Sequence, residues 1–203
     1  MHGVARPDDL RNFLARFCFG RLTTRSIAGA LLALALVLAG VPVACAAESE
    51  IINFELVRND EGVLLTYAVD LELSRSVEDA LSKAVPLFFV AEASVFRSRF
   101  YWRDQRVAHA VRVWRIVYQP LTTTYRVTFL GLSQNYASRD EALAAISRGA
   151  RWKIAEPAQI DDGRHYVEFN YRLDTSLLPR PLQIGIGGQA DWSISVQRTE
   201  SIK

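Results

Sequence analysis

Between Phe96 and Tyr118 six arginines, Arg97, Arg99, Arg103, Arg106, Arg112 and Arg115, are interleaved with Phe100, Tyr101, Trp102 and Trp114. Guanidinium groups bind carboxylates and phosphates bidentately and stack on rings, so the segment has the chemistry to hold an acidic peptide, a lipid headgroup or an anionic strand. A half-exposed hairpin gives the same alternation, its arginines facing water and its rings facing the core. The six arginines with Tyr101 form the candidate interaction face, with these two readings open.

Other constellations carry less. His165 follows Asp161-Asp162-Gly163 and precedes Glu168, which would suit an oxygen-rich metal site, although Asp162-Gly163 also reads as a hairpin turn. Gly185-Ile186-Gly187-Gly188-Gln189-Ala190 formally fits a dinucleotide fingerprint. Its context opposes that reading, because Asp191–Val196 alternates like a strand and leaves no crossover helix; the glycines read as a bend or bulge. There is no G-x-S-x-G, and the pairs Glu78-Asp79 and Asp140-Glu141 lie at expected helix starts, where they complement the helix dipole. No catalytic residue, metal ligand or cofactor site is therefore assigned, and no enzyme is expected.

The first 47 residues bear on destination. Arg16, Arg21 and Arg25 precede an uncharged apolar run, Ile27–Val43, which leads to Ala44-Cys45-Ala46-Ala47. This is the layout of a secretory signal, with A-x-A ahead of the cleavage point and Gly40 and Pro42 breaking the helix. Cleavage near Ala46 or Ala47 predicts a periplasmic or secreted domain. Retention would instead make residues 27–47 an inner-membrane anchor, since about 20 apolar residues suffice to span. A third route, lipidation at Cys45, lacks the usual upstream leucine.

Removing the leader's five arginines and two aspartates from totals of 24 basic and 22 acidic residues leaves a net charge near −1. A near-neutral domain has no global field to recruit nucleic acid, so none is expected as a partner. Both cysteines, Cys18 and Cys45, fall in the leader or at its exit. The remaining domain, residues 48–203, must hold itself together by packing alone, and it is long enough for one core.

The elements that must position the arginines are strand-rich. Ile51–Val57 and Val63–Leu73 flank the turn Asn59-Asp60-Glu61-Gly62 and predict a hairpin. Ser76 with Asp79 and Ser138 with Glu141 have capping-box spacing and predict two short helices. Leu87–Val90 is apolar on both parities, as in a strand covered on both faces. Beyond it, Phe96, Phe100 and Trp102 would share a core side opposite Arg97, Arg99 and Tyr101, with reversal at Arg103-Asp104-Gln105. Strands are expected at about Arg106–Tyr118, Tyr125–Leu130 and Tyr166–Leu173, at the run ending Lys153–Glu156, and around Leu182–Ile186 and Ala190–Val196. Pro179 and Pro181 predict an extended linker. The order strand–strand–helix–strand occurs twice, about 62 residues apart, which raises an internal pseudo-repeat. The predicted class is mainly β: an antiparallel β-sandwich or curved sheet with two short helices.

Three runs point to a family: Phe100-Tyr101-Trp102-Arg103-Asp104-Gln105, Trp152-Lys153-Ile154-Ala155-Glu156-Pro157, and Leu178-Pro179-Arg180-Pro181-Leu182-Gln183-Ile184-Gly185. On these the chain resembles the Gram-negative bacterial family known as domain of unknown function 4390, over essentially the whole domain. The resemblance implies an exported protein, sometimes labelled a proline-rich signal peptide protein, and supplies no catalytic residues. It also implies a periplasmic accessory role, because members are encoded near a membrane sensor kinase of the nitrogen-response type. The expected function is a non-enzymatic module binding an envelope protein or the membrane surface. The alternative is a carrier of a small apolar ligand or lipid, in a cavity lined by residues such as Phe88, Phe96 and Trp114.

Overall fold

The computed structural model describes residues 49–181, 183 and 189–202; the leader, the glycine run from Gly185 and most of the expected strand Leu182–Ile186 lie outside them. The elements lying wholly within the described residues include nine strands and two α-helices, in the order β1 Glu50–Asn59, β2 Gly62–Asp70, α1 Arg75–Ser82, β3 Leu87–Arg97, β4 Gln105–Gln119, β5 Thr124–Phe129, β6 Leu132–Tyr136, α2 Arg139–Ile146, β7 Arg148–Ala155, β8 His165–Leu173 and β9 Ser195–Ile202. They form two antiparallel sheets, β1-β2-β7 and β6-β5-β4-β3-β8-β9. These pack face to face, so the fold is a β-sandwich.

Strand alternation explains which residues meet between the layers. Phe89, Ala91, Ala93 and Val95 of β3 are fully buried, as are Val63 and Leu65 of β2 and Val167 and Tyr171 of β8, while Phe169 of β8 and Tyr67 and Val69 of β2 are nearly so. Phe169 reaches from the six-stranded sheet to Tyr67 at 4.7 Å and Phe54 at 5.6 Å between ring centroids. Tyr171 continues the contact towards Phe89 at 6.0 Å and Trp114 at 6.3 Å. An aromatic seam therefore joins the sheets, in place of the disulfide that the cysteine positions exclude from this domain.

Tyr67 contributes its ring to that seam at a cost. Its hydroxyl is buried and has no hydrogen-bond partner among the described residues. Burial pushes the phenol well above its ordinary pKa, although the Arg112 guanidinium pulls the other way. Tyr67→Phe keeps the ring and removes the unpaired oxygen, so it should raise stability by about 1 kcal/mol in a urea melt.

Both helices start at serine caps. Ser138 accepts from Glu141 N at 3.2 Å, at the predicted position. In α1 the cap is Ser74, accepting from Val77 N at 3.3 Å, two residues before the predicted Ser76. Ser76 instead donates to Asp191 Oδ2 at 2.8 Å, and Ser74 Oγ donates to the Asp191 carbonyl at 2.6 Å. A tertiary partner thus sets the register of the first turn.

The order strand–strand–helix–strand occurs as β1-β2-α1-β3 and as β5-β6-α2-β7, with the two runs distributed differently between the sheets. The β1–β2 hairpin belongs to the small sheet and α1 hands the chain to β3 in the large one. The β5–β6 hairpin belongs to the large sheet and α2 hands the chain to β7 in the small one. An ion pair between Glu78 Oε1 and Arg139 Nη1, at 2.6 Å, ties the two helix starts together.

Several boundaries differ from expectation. β6 was not predicted. The last strand is Ser195–Ile202, and Ala190–Trp192 is a 3-10 turn that buries Trp192. Arg180 and Pro181 are helical rather than extended, with Gln183 N donating to Pro179 O at 3.4 Å. The first turn of a helix tolerates proline because its N–H has no partner there. Asp162-Gly163 does not close a hairpin, since β7 and β8 lie in different sheets. It turns within the crossover between them.

Candidate docking site

The long β3–β4 hairpin, pairing from Leu87↔Ile116 to Arg97↔Gln105, positions most of the arginine-rich segment. Its strands stop pairing at Arg97 and Gln105, and Ser98–Asp104 forms the connecting loop. Phe100 and Trp102 were expected on a core face; they are instead 88% and 80% exposed, with Tyr101 between them at 86%. Three adjacent aromatics cannot all face inward from one strand, and beyond the paired register no second layer remains to cover them.

This loop is anchored at its base. Ser98 N donates to the Arg164 carbonyl at 2.9 Å, Arg99 N to Asp104 Oδ1 at 3.0 Å, and Tyr166 OH to Asp104 Oδ2 at 2.9 Å. The Arg99 guanidinium also donates to Gln105 Oε1. Phe96 stacks on Tyr166 at 5.4 Å with an interplanar angle of 16°, forming a platform below the loop. The tip is Phe100 and Tyr101 in an edge-on contact at 4.5 Å.

The platform has an alkaline signature. Desolvation, then the bond to Asp104, pushes the Tyr166 phenol up to about 12, and burial raises Tyr67 and Tyr171 as well. A phenol whose folded pKa lies above its unfolded value of 10.0 contributes stability that is fully present below that pH. This contribution is lost as pH rises towards the folded value. Circular dichroism and tyrosinate absorbance should show unfolding coupled to phenol ionisation above about pH 10, and Tyr166→Phe and Tyr67→Phe should each shift it upward.

The predicted face divides into three places. Arg97, Arg99, Tyr101, Arg103 and Arg106 gather at the loop end of the hairpin, where a β-bulge between Val95 and Phe96 brings Arg106 opposite Phe96. Arg97 there is paired with Asp161 Oδ2 at 2.7 Å. Arg112 faces the opposite side of the sheet, its guanidinium 4.8 Å from the Trp152 ring centroid and 5.8 Å from that of Phe129. Desolvation there lowers its pKa, which a water-facing arginine would not show. Arg115 is exposed nine residues beyond Arg106, about 30 Å along the strand at its usual rise. Arg112 and Arg115 therefore do not share a surface with the loop.

Cross-strand pairing also creates a polar group that no local motif announces. On the outer face of the large sheet, Ser94 Oγ lies 3.1 Å from His109 Nδ1, and Glu92 Oε1 lies 3.8 Å from the same nitrogen. Glu92 Oε2 accepts from Arg172 Nη1 at 2.9 Å. A serine–histidine–acid relay needs hydroxyl and carboxylate on different ring nitrogens, so this set is a polar ladder across β8, β3 and β4. His165 is buried, with Nδ1 2.8 Å from Gly163 O and Nε2 3.4 Å from Asp161 Oδ1. No group of three or more metal-ligating side chains is gathered there or elsewhere among the described residues.

The carrier residues are split as well. Trp114 is buried between the layers, stacked on Phe129 at 5.3 Å, whereas Phe88 and Phe96 alternate with the inward-facing Phe89 and Val95 and lie on the other side of β3. A recess of about 930 Å³ lies elsewhere, between the start of β1 and β9. Polar groups such as Ser49, Glu50, Gln197 and Glu200 line much of it.

Structure and site thus define an antiparallel β-sandwich with an anchored aromatic and basic loop at one end. By sequence the chain belongs to the family described as Domain of unknown function (DUF4390), matched over residues 46–201. No curated protein and no solved structure matches it.

Proposed function

We propose that this protein is an exported, periplasmic, non-enzymatic docking module, accessory to an envelope system, and that the Ser98–Asp104 loop is its point of attachment. The reading rests on Phe100, Tyr101 and Trp102, each at least 80% exposed on a loop that is hydrogen-bonded at its base. A large aromatic buries about 150–250 Å² when covered, on the order of 4 kcal/mol apiece before the costs of association. Three contiguous rings left in water are the pattern of an interaction surface. Anchoring lowers the ordering cost of docking, because the loop is held before any partner arrives. The sequence layout of residues 1–47, arginines ahead of an apolar run and an A-x-A exit, supports the periplasmic assignment, with the leader cleaved or kept as an anchor.

A photo-crosslinking side chain placed at Tyr101 in living cells tests this reading. Docking predicts an adduct from position 101 and none from position 121. Leu121 is fully exposed on the β4–β5 turn, at the opposite end of β4. Equal labelling from both positions, or none from 101, would reject the assignment.

A further inference from the structure

We infer that what covers the loop is the headgroup and upper acyl region of an anionic phospholipid bilayer. The inference rests on the docking reading above and names the partner of that same site. Its first support is shape. The three rings sit beyond the last strand pair, Arg97↔Gln105, on a projecting tip where each is at least 80% exposed. Hot spots for protein partners concentrate in packed pockets that exclude water, whereas a projecting tip enters a fluid interface without needing a complementary cavity.

The second support is chemistry. Tryptophan and tyrosine favour the boundary between headgroups and acyl chains, where the ring is apolar and its N–H or O–H stays hydrated. Here both stand beside a phenylalanine, between arginines on either side. Arg103 and Arg106 are exposed and make no ion pair among the described residues, and the Arg99 guanidinium engages only the neutral Gln105. Guanidinium groups at this level would reach phosphates while their stems lie along the chains.

The third support is charge placement. Two acids at the base of the loop have partners. Asp104 accepts from Arg99 N and Tyr166 OH, and Asp161 is paired with Arg97. With the exported domain near −1 overall, attraction to an anionic surface must be local to this end of the molecule. That predicts a preferred orientation, hairpin tip down, with β4 rising from the surface.

Tryptophan placement makes the test specific. Trp114, Trp152 and Trp192 are 5–7% exposed, so Trp102 is the one indole at the surface. The full chain is combined with phosphatidylglycerol–phosphatidylethanolamine vesicles carrying brominated acyl chains. This readout works whether the leader is free in solution or inserted. Insertion predicts a blue shift and quenching that disappear in Trp102→Phe, while the three buried indoles stay unquenched. Arg103→Ser and Arg106→Ser should each weaken the effect about fivefold on anionic vesicles and leave phosphatidylcholine vesicles unaffected.

Trp102 emission unchanged by brominated lipid in every vesicle composition would overturn the inference. Equal quenching on phosphatidylcholine, insensitive to both arginine changes, would overturn its anionic part. The crosslink at position 101 separates this failure from failure of the docking reading. A polypeptide adduct without lipid quenching leaves docking standing and assigns the loop to a protein partner, whereas absence of both signals removes both.

Discussion

Gly62→Ala is expected to lower the stability of the domain by about 3 kcal/mol or more, seen as a shifted urea midpoint with little change in slope. Neither Asp60 nor Glu61 takes a positive φ, so the β1–β2 reversal is completed by Gly62 at φ +117°. Side chains are strained in that region. A Cβ there would also stand 2.1 Å from the Ala155 carbonyl oxygen and 3.2 Å from its carbon. Those atoms are backbone of β7, whose Ala155 pairs with Val63, so relief of the clash would require the small sheet to part. By contrast, Gly131→Ala in the β5–β6 turn has nothing within 4 Å of its Cβ and should cost only its φ strain at +82°. A smaller loss at Gly62 than at Gly131 would contradict the close approach described for β7.

Phe169→Ala should cost about 3–5 kcal/mol, from lost apolar transfer and the cavity left between the sheets. Domains of this kind are stable by only about 5–15 kcal/mol, so the variant would be partly unfolded at ambient temperature or melt far below the parent. The argument is specific to the position. Phe169 is 1% exposed, and its ring meets both Tyr67 and Phe54, making it the place where the large sheet grips two strands of the small one. Phe169→Leu, which keeps most of the volume, should cost about 1.5 kcal/mol. If alanine there were as mild as at half-exposed Phe88, the seam would not be what holds the layers together.

Legibility varied with how local the determining interaction was. The β1–β2 turn, β3, β4, β5 and β8 follow from turn residues and apolar runs that act within a few positions. The cap at Ser74 was missed because Asp191, far away in the chain, engages Ser74 and Ser76. β6 was missed because its turn is Leu130-Gly131, with leucine at φ +48° where asparagine or aspartate is usual, and because its strand Leu-Ser-Gln-Asn-Tyr is mostly polar.

At the candidate site, the arginine and aromatic content was legible but its partition was not. Strict alternation through Trp102 assumed a strand that continues, whereas pairing ends at Arg97 and frees all three rings. Arg112 reads as a surface arginine in any one-dimensional pattern. Only the approach of β7 places Trp152 against its guanidinium. The Ser94–His109 contact arises from a register match across β3 and β4 and leaves no trace at sequence spacing.

The crossed hand-over of strands between the two sheets governs the order of assembly. Strand β2 is completed by β7, through Ala68↔Arg148 and Val63↔Ala155, separations of 80 and 92 residues. A chain that emerges amino-terminus first therefore presents the β1–β2 hairpin with one apolar edge open until α2 and β7 have arrived. Such long-range closure is slow relative to local structure and leaves a strand edge free to pair with another molecule. The most vulnerable stage of this protein's life is thus the interval in which its first hairpin waits for its third strand.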